Sequence, residues 1–111
     1  MYGRILNRIK KKISQGLYYF TTHAIEELQN DNLTTDDAES AIFNGEIINK
    51  LDHDFRGARY IILGKTKDEQ ELEICCRIEN GYVIIITCYA ELYKKTFSLR
   101  FLRWNHANKD Y

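Results

Sequence analysis

Three features of this sequence predict an α+β fold, in which helices pack on one face of an antiparallel sheet of four to five strands. Three β-rich runs crowd into residues 58–89, reading A-R-Y-I-I-L-G-K, E-L-E-I-C-C-R-I and V-I-I-I-T-C-Y. Between the last two stands Asn80-Gly81, a strong hairpin signal, because both central residues of a type I′ turn need positive φ. The chain before Gly45 instead carries apolar residues at helical spacing, punctuated by capping residues and glycines. Mostly helices first and strands afterwards is the pattern of helices laid on an antiparallel sheet.

In chain order, residues 2–15 place Ile5, Leu6, Ile9 and Ile13 on one stripe opposite a basic face, and Gly16 is a natural stop. Leu17 to Phe20 forms a short first strand. Thr21 or Thr22 caps a second helix carrying His23, Ala24, Ile25 and Leu28. Thr34 with Asp37 resembles a capping box opening a third helix that buries Ala38, Ala41 and Ile42 and ends at Gly45. Glu46 to Leu51 is a strand, and His53, Asp54 and Gly57 lie in the loop that follows. The order is α-β-α-α-β-β-β-β. Residues 1–16 are an amphipathic helix, 18–89 the core, and 90–111 a basic, aromatic extension. In that extension Phe97, Leu99 and Phe101 allow a further strand, and the exposed aromatic-basic mixture also suits base stacking.

Closing the hairpin with Glu79 opposite Tyr82 pairs Ile78 with Val83, Cys76 with Ile85 and Ile74 with Thr87. That apolar face is expected under the helices. Carried forward, the same register puts Tyr89 on it and Cys88 on the mixed face, with Glu73, Cys75, Arg77, Glu79, Ile84 and Ile86. The mixed face is expected to be open or lightly covered.

Formal net charge is zero, so bulk charge indicates no polyanion partner. Its distribution is uneven. No acid precedes Glu26, whereas from Glu26 to Asp54 Lys50 is the only Lys or Arg, and the end is basic again. Such a chain can still bind a polyanion locally, although solvated helix faces account for the same pattern. Cys75, Cys76 and Cys88 have no metal spacing and suggest reduced thiols in a cytoplasmic protein. No run approaches a membrane span, and no signal peptide is evident.

Five residues could carry chemistry. His23 lies in the first turn of a helix, where the positive helix end disfavours a cation and suits the ring to accept a proton. Arg59, Lys65 and Arg77 could each hold a phosphate, and Tyr89 could donate a proton. Packing on the sheet is the simpler account of His23, a solvated surface cation is the default for Arg59, Lys65 and Arg77, and Tyr89 could merely cap the core.

The segments F-T-T-H-A-I-E-E-L, L-T-T-D-D-A-E-S-A-I-F-N-G-E-I-I, G-A-R-Y-I-I-L-G and I-I-I-T-C-Y occur in the order and spacing of a small bacterial domain family. Over residues 18–89 the chain resembles the domain of unknown function 4258. That family looks like a distant relative of the RelE and BrnT toxins, compact ribonucleases of toxin–antitoxin systems. The resemblance implies a RelE/BrnT-like fold, RNA as substrate, a cognate antitoxin protein as partner, and no metal or other cofactor. A ribose 2′-hydroxyl would attack the adjacent phosphorus. The positions matching the family's recurrent polar residues are His23, which would be the base, Arg59, which would clamp the phosphate, and Tyr89, which would be the acid; Arg77 and Lys65, from their own charge, would add phosphate or RNA contacts. The chain departs from the family pattern at Asn30-Asp31-Asn32-Leu33, where basic residues are frequent, and at Glu27, where arginine is common. The competing expectation is a non-catalytic module that binds protein or RNA.

Overall fold

The computed structural model describes residues 2–52 and 55–90. The expected element order is present: α1 (Gly3–Ser14), β1 (Tyr18–Phe20), α2 (Thr22–Asn30), α3 (Thr35–Asn44), β2 (Glu46–Leu51), β3 (Arg59–Lys65), β4 (Glu71–Glu79) and β5 (Tyr82–Ala90). The anticipated features of His53, Asp54 and residues 91–111 lie outside the described residues.

Local chemistry sets most boundaries. Leu6, Ile9 and Ile13 put the apolar stripe of α1 in the core. Beyond its end, Gly16 adopts a φ of 76°, and the Leu17 amide bonds the Lys12 carbonyl at 2.9 Å, which is a Schellman closure. Thr21 is the N-cap of α2, and Asn32, at a φ of 58°, closes that helix as Gly16 closes α1. The Thr34–Asp37 capping box forms in both directions. Asn80 and Gly81 take φ of 52° and 82°, and Glu79 pairs with Tyr82 as expected.

The sheet order is β1-β5-β4-β3-β2. It is not purely antiparallel: β1 pairs with β5 in parallel, through Tyr18 with Val83 and Phe20 with Ile85. The reason is topological. The chain leaves β1 through two helices and three strands, and β5 returns beside β1 running in the same direction.

The expected register holds from Glu79 to Cys76 and then slips. Cys75 pairs with Thr87 and Ile74 with Cys88, leaving Ile86 as an extra residue on β5. A bulge of one residue reverses the side-chain alternation beyond it. Cys88 therefore joins the helix-covered core with Ile74, Cys76, Val83 and Ile85. Tyr89 turns to the opposite face, beside Ile61, Cys75, Ile84 and Ile86. Both placements correct the sequence expectation, and so does the burial of this second face. It was expected to be open or lightly covered, yet Cys75 is 1% exposed and Tyr89 2%. None of the three helices contributes a side chain to this second cluster.

α3 approaches β3 very closely. A Cβ on Gly64 would lie 1.9 Å from the Ala41 carbonyl oxygen, and one on Gly45 would lie 2.5 Å from the same atom. Next to that contact, the Asn44 side chain bonds both the amide and the carbonyl of Lys65.

Candidate functional site

α2 is held along the C-terminal half of β5, beyond the point where β1 ends. The Thr21 hydroxyl donates to the Ile86 carbonyl at 2.8 Å and accepts from the Ala24 amide at 3.1 Å, so one side chain both caps the helix and ties it to the bulge. At the far end the Ala90 amide donates to the Asp31 carboxylate at 3.3 Å. This positions His23 in the first turn, half-buried, with Nε2 3.9 Å from Glu27 Oε1. Glu27 is itself buried. Its negative charge adds to burial and to the neighbouring Cys75 in raising the Cys88 pKa above the ordinary thiol value.

Arg59 opens β3 on the second face, 6% exposed. The ladder pairs Tyr60 with Cys76, so one step further Arg59 falls opposite Arg77. Arg77 is buried too, and its Nε donates to Glu79 Oε2 at 2.9 Å. Tyr89 shares this face but pairs with Glu73, in a different row from Arg77. Four residues along β4 and two inter-strand steps lie between Arg59 and Tyr89. At about 3.3 Å per residue and 4.8 Å per strand, their Cα atoms are roughly 16 Å apart. Cys75 occupies the row between them. His23 stands on a helix whose Ala24 and Leu28 pack into the other face of the sheet. The structure thus brings Arg59 and Arg77 together, sets Tyr89 at the other end of the same face, and leaves His23 on a helix of the opposite layer.

Lys65 has a different setting. It lies in a cavity of about 560 Å³ lined by Asn44, Glu46, Glu69, Glu71, Ile48 and Leu63, among others. Its Nζ is 3.6 Å from Glu69 Oε2. Three carboxylates around one ammonium make this cavity hostile to a phosphate. Among the described residues, no group of three or more His, Cys, Asp or Glu is arranged to hold a metal ion. No described helix is long and apolar enough to cross a membrane.

Another corner of the molecule combines charge with exposed aromatic surface. Tyr19 and Tyr82 are both exposed, their ring centroids 6.4 Å apart and their planes tilted by 53°. Lys12 Nζ donates to the Gly81 carbonyl at 2.9 Å, immediately before Tyr82. Sequence reasoning missed this corner. Period-2 alternation across the hairpin places Tyr82 on the face opposite Val83, but only the parallel pairing of β1 brings Tyr19 beside it.

No curated protein and no solved structure matches the chain. A family model does match, over residues 20–90. That span runs from the last residue of β1 to the last of β5, taking in α2, α3 and four whole strands while leaving α1 and residues 91–111 outside. Over most of its length, therefore, the chain belongs to the domain of unknown function family DUF4258.

Proposed function

We propose that this domain binds RNA through a cationic surface built on α1, and that binding rather than cleavage is its activity. The observation that carries this reading is the arrangement of α1. Arg4, Arg8, Lys10, Lys11 and Lys12 occur on it with no acidic residue, while Leu6, Ile9 and Ile13 are buried. The apolar stripe is consumed by the core, so Arg4, Arg8 and Lys11 are exposed on the outer side of the helix, flanked by the partly exposed Lys10 and Lys12. Such a patch binds phosphates by releasing their counterions, which makes affinity fall steeply with salt. Net neutrality does not oppose this, because much of the balancing acid lies on α2, α3 and the strands.

Fluorescence anisotropy with a labelled 12-nucleotide RNA should show binding at about 50 mM salt that weakens by on the order of a hundredfold at 200 mM, for roughly four phosphate contacts. Lys10→Glu with Lys11→Glu should abolish most of it. Binding that ignores both salt and these substitutions overturns the reading.

A second reading is favoured by the neighbouring Arg59 and Arg77 on one face. Two cations suit a phosphorane, and kinship with the RelE and BrnT ribonucleases would give them a metal-free cleavage reaction and a protein antitoxin as partner. The roughly 16 Å between Arg59 and Tyr89, and the burial of both, weigh against it. If it is correct, expression slows bacterial growth and cleaves RNA, and Arg59→Ala relieves both without unfolding the domain. Intact RNA after expression excludes it.

A further inference from the structure

We infer that Tyr19 and Tyr82 form a base-stacking platform for single-stranded RNA at the corner where β1, the β4–β5 turn and the basic end of α1 meet. This rests on the RNA-binding reading and gives it a substrate class.

The corner is assembled from distant parts of the chain. The parallel ladder sets Tyr19 opposite Ile84, and the hairpin sets Tyr82 two residues before Ile84 on the same face. The two rings are thus diagonal neighbours, half-exposed at 51% and 44%. Their rings meet at a tilt of 53°, and about half of each residue stays open to solvent. Bases stack on such surfaces irrespective of sequence, because every base has a π-face.

Charge complementarity selects the partner. Lys12 is anchored to the Gly81 carbonyl, so the last turn of α1, with Lys11 and Lys12, lies at the rim of the platform. A backbone running along α1 could keep its phosphates on the lysines while its bases turn toward the rings. Arg77 adds an independent pointer. It pairs across the ladder with Ile84, beside both tyrosines, and is 7% exposed. Its Nε is taken by Glu79, but its buried Nη1 has no hydrogen-bond partner among the described residues. A buried guanidinium nitrogen without an acceptor is costly, and the O2 or O4 of a stacked pyrimidine would supply one. A protein helix with an acidic face would satisfy the lysines, but it offers neither flat faces for the rings nor a planar acceptor for Arg77. A duplex keeps its bases inside the stack and could use only the lysines.

The test uses the full chain and a labelled, uncleavable 2′-O-methyl oligouridine 12-mer, compared with a duplex of the same length. The single strand should bind more tightly than the duplex. Tyr19→Ala with Tyr82→Ala should weaken single-strand binding by about tenfold or more, leave duplex binding unchanged, and leave the domain folded, since both side chains are half-exposed. Tyr19→Phe with Tyr82→Phe should restore it, because stacking needs the ring and not the hydroxyl. Equal single-strand binding by wild type and the alanine variant overturns the platform while leaving α1 as an RNA-binding surface. Equal binding of duplex and single strand by the wild type does the same. Failure of both nucleic acids to bind at low salt overturns the platform and the RNA reading together.

Discussion

At the scale of single residues, burial sets the chemistry of two thiols. Cys76 and Cys88 are wholly enclosed, and burial, followed by neighbouring negative charge, raises both pKa values well above their ordinary 9.0. A folded-state pKa above the unfolded one means that the native state holds its proton more tightly. The corresponding stability is complete below about pH 9 and is lost as pH rises toward the folded value. Between pH 9 and 10 urea-unfolding free energies should therefore fall by up to about 1.4 kcal/mol per pH unit for each thiol. Cys76→Ala should shift the baseline and reduce that slope. An unchanged free energy from pH 8 to 10 would contradict the burial of these thiols. Tyr18 adds to the trend at higher pH, since burial and its hydrogen bond to Glu39 also raise its pKa.

Elements are positioned here by close approach as much as by apolar area. α3 lies so near β3 that the Ala41 carbonyl oxygen occupies the space a Gly64 side chain would need. The obstacle is backbone, which cannot rotate away. Gly64→Ala should cost about 1–3 kcal/mol or more, whereas Gly3→Ala, with nothing within 4 Å of the added methyl, should be close to neutral. Thermal melting of the two variants gives the comparison. α1 depends on burial instead. Ile9 is 0% exposed, and truncating a buried isoleucine typically costs about 2–5 kcal/mol. Ile9→Asp adds the desolvation of a carboxylate and should lower the melting temperature sharply. A melting temperature unaffected by that change would mean that α1 is not docked on the sheet.

At the scale of the whole molecule, one inserted residue and one parallel pair decide what each face presents. The extra Ile86 sends Cys88 into the helix-covered core and Tyr89 to the other side. Thr21 bonds the carbonyl of that same residue, so the bulge also sets where α2 begins relative to the sheet. The parallel placement of β1 takes its hydrogen bonds from the N-terminal half of β5, leaving the other half to be flanked by α2. The proposed stacking platform and the position of His23 both follow from these two features.

Local interactions made much of this architecture legible in the sequence. The turn at Asn80-Gly81, the capping box of Thr34 and Asp37, and the stop at Gly16 each depend on residues no more than a few positions apart. The stripe of α1 was legible for the same reason, because periodicity marks the face that water must leave. The candidate site was less legible. Arg59 and Arg77 could be named as cations, but their adjacency arises from the β3–β4 register, and the distance from Arg59 to Tyr89 from the sheet as a whole. Alternation along β5 was a sound rule only as far as the bulge, since a period of two carries no memory across an inserted residue. Pairing between β1 and β5 joins residues some 65 positions apart, and nothing local distinguishes a parallel edge from an antiparallel one. Tertiary packing made that choice, and with it brought Tyr19 beside Tyr82.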